Sequence, residues 1–147
     1  MFGEFLKRLT APAPAPLTDT DARLALGALL VRVARSDNHY DATEVAKIDQ
    51  ILSSRYNLAP AETVELRQQC EILETEAPDT VRFTRAIKNA VPFEDRIAVI
   101  ESLWAVVLAD GVRDAGEDAL LRLVASLLGV NDVDRAKARQ RIQARRP

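Results

Sequence analysis

The sequence predicts an all-α protein, a bundle of about seven helices built from two pseudo-symmetric helical repeats. Three observations predict this fold class. Glycine is scarce, at five residues in 147, and no segment alternates β-branched with polar residues. Apolar side chains instead recur at spacings of three and four residues, which is typical of helices that bury one face. The chain also matches itself when it is shifted by 73 residues, as from Asp37 to Asp110.

Each predicted helix is bounded by residues that cap or break helices. The first begins after Thr18, an N-cap residue, and the second ends at Asn57, which tolerates the left-handed conformation. Pro60 suits a first turn, where a missing N–H is harmless, and Pro92 opens a later helix in the same way. The Pro-Asp pair at 78–79 ends one helix and caps the next. The predicted helices span about 18–36, 42–55, 60–76, 80–90, 93–109, 115–128 and 132–145.

Residues 21–54 and 94–127 form the repeated unit. Ten of the 34 paired positions are identical, where ordinary composition would give about two or three. The full repeats span about 18–77 and 92–146, and each contains a helix, a turn, a helix, a cap and a helix. Neither copy can bury its apolar face alone, so we predict that they pack about a pseudo-two-fold axis. The predicted central layer consists of Leu24, Leu26, Leu29, Leu30 and Val33, facing Ile97, Val99, Ile100, Leu103, Trp104 and Val107.

A proline-alanine linker precedes the helical domain. Residues 11–17 should be extended and semi-rigid, and the domain then occupies 18–147. Residues 1–10 form a short amphipathic segment whose apolar face comprises Phe2, Phe5, Leu6 and Leu9. Such a segment suits a membrane surface or a partner protein. An isolated helix this short is marginal, so the alternative is a tail that frays or folds back onto the domain.

Composition excludes several classes of protein. The net charge of −2 argues against indiscriminate nucleic-acid binding. The single cysteine cannot form an internal disulfide, and the apolar run at 97–109 is too short to cross a bilayer. The N-terminus lacks the long apolar segment of a signal peptide, so we expect a cytoplasmic protein. No nucleophile is paired with a base, so we expect no enzymatic activity.

The spacing Asp-x-x-x-Asp-x-x-Glu occurs once in each repeat. The six residues are Asp37, Asp41 and Glu44 in the first copy, and Asp110, Asp114 and Glu117 in the second. In each copy the second aspartate is placed as an N-cap and the glutamate as the third helical residue, which together form a capping box. Four of the six carboxylates therefore have a structural explanation, each cap contributing about 1 kcal/mol.

The first aspartate of each motif has no such explanation. Asp37 and Asp110 follow the carboxyl end of a helix, where an anion faces the negative end of the macrodipole and costs roughly 0.3–1 kcal/mol. The compensating partner could be Arg23 or Arg96, an amide of the turn, or a cation. Clustered carboxylates with helix-end carbonyls suit calcium or magnesium better than zinc, with water completing the shell. Capping combined with local salt bridges is the alternative.

The two turns resemble the signature of a known family. The segments ADGVRDAGE at 109–117 and SDNHYDATE at 36–44 are similar to TerB-like domains, named for a bacterial tellurite-resistance protein and also found in a membrane-anchored DnaJ-like co-chaperone. The resemblance covers the helical domain and implies about seven helices, with the six acidic residues as a metal site. The first copy departs from the pattern at Asn38, where glycine is usual, and has His39 and Tyr40 in the turn. We therefore expect the second half-site to bind better.

Two functions follow from these observations. The first is a non-enzymatic, stress-associated module that binds a divalent cation through the acidic turns. The second is a metal-free, co-chaperone-like adaptor that binds an unidentified protein, or weakly a membrane through residues 1–9. An acidic face favours the second, since residues 37–79 hold ten acidic and three basic residues. A homodimer is also considered, and no nucleic-acid partner is expected.

Overall fold

The predicted all-α fold is confirmed. The computed structural model describes residues 19–36, 40–76, 80–109 and 115–145, with the side chains of 19–21, 81–82 and 115–118 excepted, and contains seven helices and no strand in those ranges. They are α1 (Asp19–Arg35), α2 (Ala42–Tyr56), α3 (Pro60–Glu76), α4 (Thr80–Ala90), α5 (Phe93–Val107), α6 (Ala115–Leu127) and α7 (Asp132–Arg145). None of these helices is long and apolar enough to cross a membrane. The predicted segment 1–10, the linker 11–17 and the break at 78–79 lie outside the described residues.

The predicted bounds match α3, α4 and α7 to the residue, whereas α5 ends slightly before its predicted end. After Val107 the backbone tightens. The Leu108 N–H donates to Trp104 O at 2.9 Å, and the Ala109 N–H donates to Val106 O at 3.2 Å. These bonds satisfy carbonyls that the end of a helix would otherwise leave without partners. The chain therefore leaves α5 through a short turn, immediately before the second acidic motif.

The first helix, α1, lies at the centre of the bundle. Eight consecutive residues, 24–31, are buried, so α1 is surrounded on all sides instead of burying a single face. It packs most extensively against α3 and α4 and also contacts α2, α5 and α6. Gly27 allows a close approach to α3, because a β-carbon at this position would overlap the Cys70 thiol of that helix. The lack of a side chain at Gly27 thus brings α3 against the central helix.

The second buried helix is α5, which packs mainly on α7 and also contacts α1, α2 and α6. Of the eleven side chains predicted for the central layer, ten are buried. The exception is Ile97, which is half-buried and packs at the edge of the core. Trp104 is buried as predicted, and the guanidinium of Arg139 on α7 lies 5.8 Å from the centre of its ring.

The ends of α2 and α6 correspond in the two repeats, and they have the same backbone geometry. Asn57 follows α2 with φ 54°, and Gly129 follows α6 with φ 76°. The N–H of the next residue donates to the carbonyl five residues earlier, at 3.1 Å for Leu58 and 2.8 Å for Val130. This is the bond of the Schellman motif, and it confirms the predicted cap at both ends. The helix neighbours also correspond, since α1 contacts α3 as α5 contacts α7. Superposition of the complete halves stays a prediction.

Candidate functional site

The first acidic turn connects α1 to α2, and its described part is the start of α2. Asp41 has an extended backbone, with φ −95° and ψ 176°, and precedes the first helical residue. Its Oδ1 accepts a hydrogen bond from the Glu44 N–H at 3.1 Å, and Glu44 Oε1 accepts one from the Asp41 N–H at 3.4 Å. The predicted capping box is therefore confirmed in the first repeat. Asp37 and His39 lie outside the described residues.

The two capping carboxylates differ in exposure. The Asp41 side chain is exposed, whereas Glu44 is 0% exposed. Burial of an ionised carboxylate is costly unless nearby groups compensate its charge. Glu44 Oε1 accepts the Asp41 N–H at the positive end of the α2 dipole. The first turn therefore has one carboxylate facing solvent and one facing the protein interior.

Three charged side chains and one tyrosine connect this turn to α3, and we name them the α3 brace: Tyr40, Asp49, Arg67 and Glu71. The Tyr40 hydroxyl donates to Glu71 Oε2 at 2.6 Å, and Arg67 donates to the same oxygen at 3.1 Å. Arg67 Nε also donates to Asp49 Oδ1 of α2 at 2.6 Å. Burial, followed by the hydrogen bond to Glu71 and the Glu71 charge, raises the pKa of the Tyr40 phenol above its ordinary value of 10.0. The hydroxyl therefore stays a donor at neutral pH.

The residue that ends α1 is also held by α3. Arg35 donates to Glu74 Oε1 at 2.8 Å, and its guanidinium lies 5.0 Å from the centre of the Tyr40 ring. Glu71 and Glu74 are three residues apart and so share one face of α3. Glu71 binds Tyr40 and Glu74 binds Arg35, so α3 contacts the chain on both sides of residues 37–39. The sequence does not reveal these contacts, because Tyr40 and Arg35 lie 31 and 39 residues from their partners.

The second acidic turn connects α5 to α6. The first residue of α6 is Ala115, as expected if Asp114 is its N-cap. Asp110 and Asp114, however, lie outside the described residues, as does the side chain of Glu117. The structure thus describes two of the six predicted ligands, both in the first turn. In the part of the chain that the structure describes, no group of three or more His, Cys, Asp or Glu side chains is arranged to hold a metal ion.

The two repeated arginines make other contacts. Arg96 donates to three backbone carbonyls, one of them Leu128 O at the end of α6, at 3.4 Å. The guanidinium of Arg23 lies 4.8 Å from the centre of the Tyr56 ring. Each arginine lies near the start of its helix, roughly 16–18 Å along the axis from the opposite end. Asp37 and Asp110 lie outside the described residues, so compensation of their charges by these arginines stays a prediction.

Comparison with known protein families shows to which family the chain is related. The family described as tellurite resistance protein TerB matches residues 23–140. The chain belongs to the TerB family. The match extends over both acidic turns and reaches every helix from α1 to α7. No curated protein and no solved structure matches the chain.

The only cysteine of this TerB protein is not a reactive group. Cys70 lies in the core, 0% exposed, and burial raises the pKa of its thiol to about 12. The thiolate is the form that attacks oxidants and electrophiles. In the folded protein the Cys70 thiol is therefore enclosed and stays protonated at neutral pH.

An open cleft is the second notable feature of this TerB fold. It lies between α2 and α5, is also lined by the end of α7, and has a volume of about 780 Å³. Ala98 and Ala105 of α5 and Ile142 of α7 contribute apolar surface. The cleft is not detectable in the sequence, because it depends on how α2, α5 and α7 pack against one another.

Proposed function

We propose that this TerB-family protein is a non-catalytic module, acting in a stress response, that binds calcium or magnesium at its acidic turns. The observation that supports the proposal is the α2 capping box, in which the carboxylates of Asp41 and Glu44 both belong to the first turn. Carboxylate oxygens are the ligands that hard cations prefer. The proposed ligands, with water completing the shell, are Asp37, Asp41 and Glu44 in the first turn and Asp110, Asp114 and Glu117 in the second.

The α3 brace and the Arg35–Glu74 ion pair hold the described residues that flank the first turn. Tyr40 and Arg35 are bound to Glu71 and Glu74 of α3, so the two ends of the first turn have fixed partners. Flanking residues that are already held in place lose less conformational entropy when a ligand binds between them.

Thermal unfolding with and without cation tests the proposal. A ligand that binds only the folded state raises the unfolding midpoint, so excess calcium or magnesium should stabilise the wild-type protein relative to protein with chelator, and zinc should do so less. Asp110→Asn should reduce this shift. In chelator the same substitution should raise the free energy of unfolding by up to about 1 kcal/mol, because it removes an anion from the negative end of a helix dipole.

The possible outcomes of that experiment separate three cases. A wild-type midpoint that does not respond to any of the cations would mean that the acidic turns are structural. A shift that survives Asp110→Asn would place the cation at another site. A shift that the substitution abolishes would support the proposed ligands.

A metal-free interaction domain is the second proposed function. The observation that favours it is the open cleft between α2 and α5, which is large enough to receive part of a partner. This function requires that the partner bind equally well in chelator. Binding that is lost on chelation would instead assign the interaction to the acidic turns.

A further inference from the structure

The cleft between α2 and α5 has the dimensions of a helix. On α2 its lining residues run from Thr43 to Arg55, and on α5 from Ala98 to Ala105, and both sets recur every three or four residues. Leu108 and Ala109 of the turn after α5 continue the second wall. Each wall is therefore one face of a helix, roughly 18 Å long on α2 and 10 Å on α5. A third helix of about eight to twelve residues, or two to three turns, would match these walls.

Most side chains along the walls are small or apolar. Small side chains let helices approach closely, and the accessible parts of apolar side chains supply surface to bury. The small group comprises Ala46, Ser54, Ala98, Ser102, Ala105 and Ala109. Of the larger apolar lining residues, Ile51 is half-buried, whereas Leu108 and Ile142 already belong to the core. A partner helix would therefore need an apolar face.

The charged residues of the cleft are mainly basic. Lys47 and Arg55 lie on α2, and Arg145 lies at the end of α7. The one acidic residue, Glu101, is already paired with Arg141 at 3.5 Å and Arg145 at 3.7 Å. Lys47 donates to the neutral amide of Gln50 at 3.1 Å. The cleft is therefore positive, although the chain as a whole has a net charge of −2.

We propose that the cleft binds an amphipathic helix of a partner protein whose apolar face is flanked by carboxylates. Lys47 and Arg55 are eight residues apart on α2, or about 12 Å along its axis. The partner's carboxylates should therefore occupy positions i and i+7 or i+8. This inference goes beyond cation binding and rests on the second proposed function, for which it names the surface and the partner chemistry.

The chain's own N-terminal segment is a poorer match for this surface. Residues 1–10 are apolar on one side, but their charged residues are Glu4, Lys7 and Arg8. Two of the three have the same sign as Lys47 and Arg55. Charge complementarity thus favours an acidic helix from another protein.

Selection from a displayed library of helical peptides tests the proposal. The peptides have fixed apolar positions and randomised flanking positions, and they are selected on the full-length protein in chelator. Enriched peptides should carry Asp or Glu at i and i+7 or i+8. Ala98→Trp fills the cleft from an exposed position and should abolish the enrichment. Basic or neutral flanks would overturn the proposal, and equal enrichment on Ala98→Trp would place peptide binding at another surface.

The affinity of one enriched peptide then tests the charges directly. Lys47→Glu replaces the attraction between Lys47 and a peptide carboxylate with a repulsion. It should weaken peptide binding roughly fivefold or more and make the affinity less dependent on salt. The matched control is Lys88→Glu, an exposed residue of α4 outside the cleft, which should change the affinity by less than about twofold. Equal effects of the two substitutions would contradict the proposal.

Competition assigns the occupant of the cleft. If a synthetic peptide of residues 1–10 displaces the bound peptide, the chain's own segment is the occupant and the proposal is overturned. If dimerisation of the protein excludes the bound peptide, a second copy is the occupant and the proposal is also overturned. The two proposals can fail separately. If the peptide binds in chelator and the thermal unfolding midpoint does not respond to cation, the cation proposal is refuted and the helix-binding proposal stands.

Discussion

Gly27 of α1 lies directly against the thiol of Cys70 of α3. A β-carbon built at Gly27 would overlap Cys70 Sγ, and it would lie 3.1 Å from Cys70 Cβ and 3.8 Å from Leu52 Cδ2. The missing side chain therefore sets how closely the central helix and α3 approach each other.

Gly27→Ala should lower the free energy of unfolding by about 1–3 kcal/mol. The overlap with Cys70 forces the two helices apart, and this cost exceeds the gain of roughly 1 kcal/mol that alanine normally brings to a helix interior. Removal of the sulfur makes room, so Cys70→Ala should partly rescue the variant. Urea unfolding of both single variants and the double variant measures this coupling.

The control for that experiment is Gly129→Ala. Nothing lies within 4 Å of a β-carbon at Gly129, but its φ of 76° disfavours any side chain. This variant should also lose stability, through backbone strain, and Cys70→Ala should not rescue it. A Gly27→Ala protein as stable as wild type would contradict the close approach of α1 and α3.

The buried thiol should make the protein sensitive to alkali. The pKa of Cys70 is 9.0 in its ordinary state and about 12 in the folded protein, so the folded state retains the proton more strongly. Its contribution to stability is complete below pH 9 and is lost as the pH rises towards 12. The wild type should then lose up to about 1.4 kcal/mol per pH unit relative to Cys70→Ala. Urea unfolding of both proteins across this pH range measures the effect. If the free energy of unfolding falls equally with pH in wild type and Cys70→Ala, the raised pKa of Cys70 is refuted.

The α3 brace should contribute measurably to stability. Tyr40→Phe removes the hydroxyl that donates to Glu71 and should cost about 1 kcal/mol, since a partly exposed hydrogen bond to a charged acceptor is worth about this much. Glu71→Gln should cost a similar amount, and the double variant should cost less than the sum of the two. Additive effects in chemical denaturation would show that the two side chains do not interact.

The caps of the two acidic turns should be equally important. Asp41→Ala should lower stability by about 1 kcal/mol in chelator, because the Glu44 N–H loses its acceptor, while Asp41→Asn should be nearly neutral. Asp114→Ala should match Asp41→Ala if the second turn has the same capping box. A loss confined to Asp41→Ala would restrict that capping function to the first repeat.

Deletion of residues 1–10 should change the free energy of unfolding by less than about 1 kcal/mol, as expected for a terminus that the linker separates from the domain. Thermal and urea unfolding of the shortened protein measure the effect. A large loss would mean that Phe2, Phe5 and Leu6 belong to the core.

Local signals in the sequence predict most of the fold. The left-handed cap at Asn57 and the proline at the start of α3 act over a few residues, so the helix bounds follow from them directly. The capping box of Asp41 and Glu44 is local in the same sense, and the structure confirms it.

Contacts between distant segments are not predictable in this way. Arg67 and Glu71 are four residues apart on α3 and were detectable as a helical ion pair. The bonds of Tyr40 and Asp49 to that pair depend on how α2 and α3 pack. The cleft is equally hidden, because helical periodicity identifies a buried face but not the distance between two helices.

The position of α1 has a consequence for protein synthesis. This helix is surrounded by later helices as far along the chain as α6, yet it is the first of the seven to leave the ribosome. At roughly 5–20 residues per second, about 5–20 seconds pass before α6 is complete. During that time the growing chain holds the eight-residue run 24–31 without the helices that cover it in the folded protein. We therefore expect nascent chains that stop before α5 to need protection from aggregation.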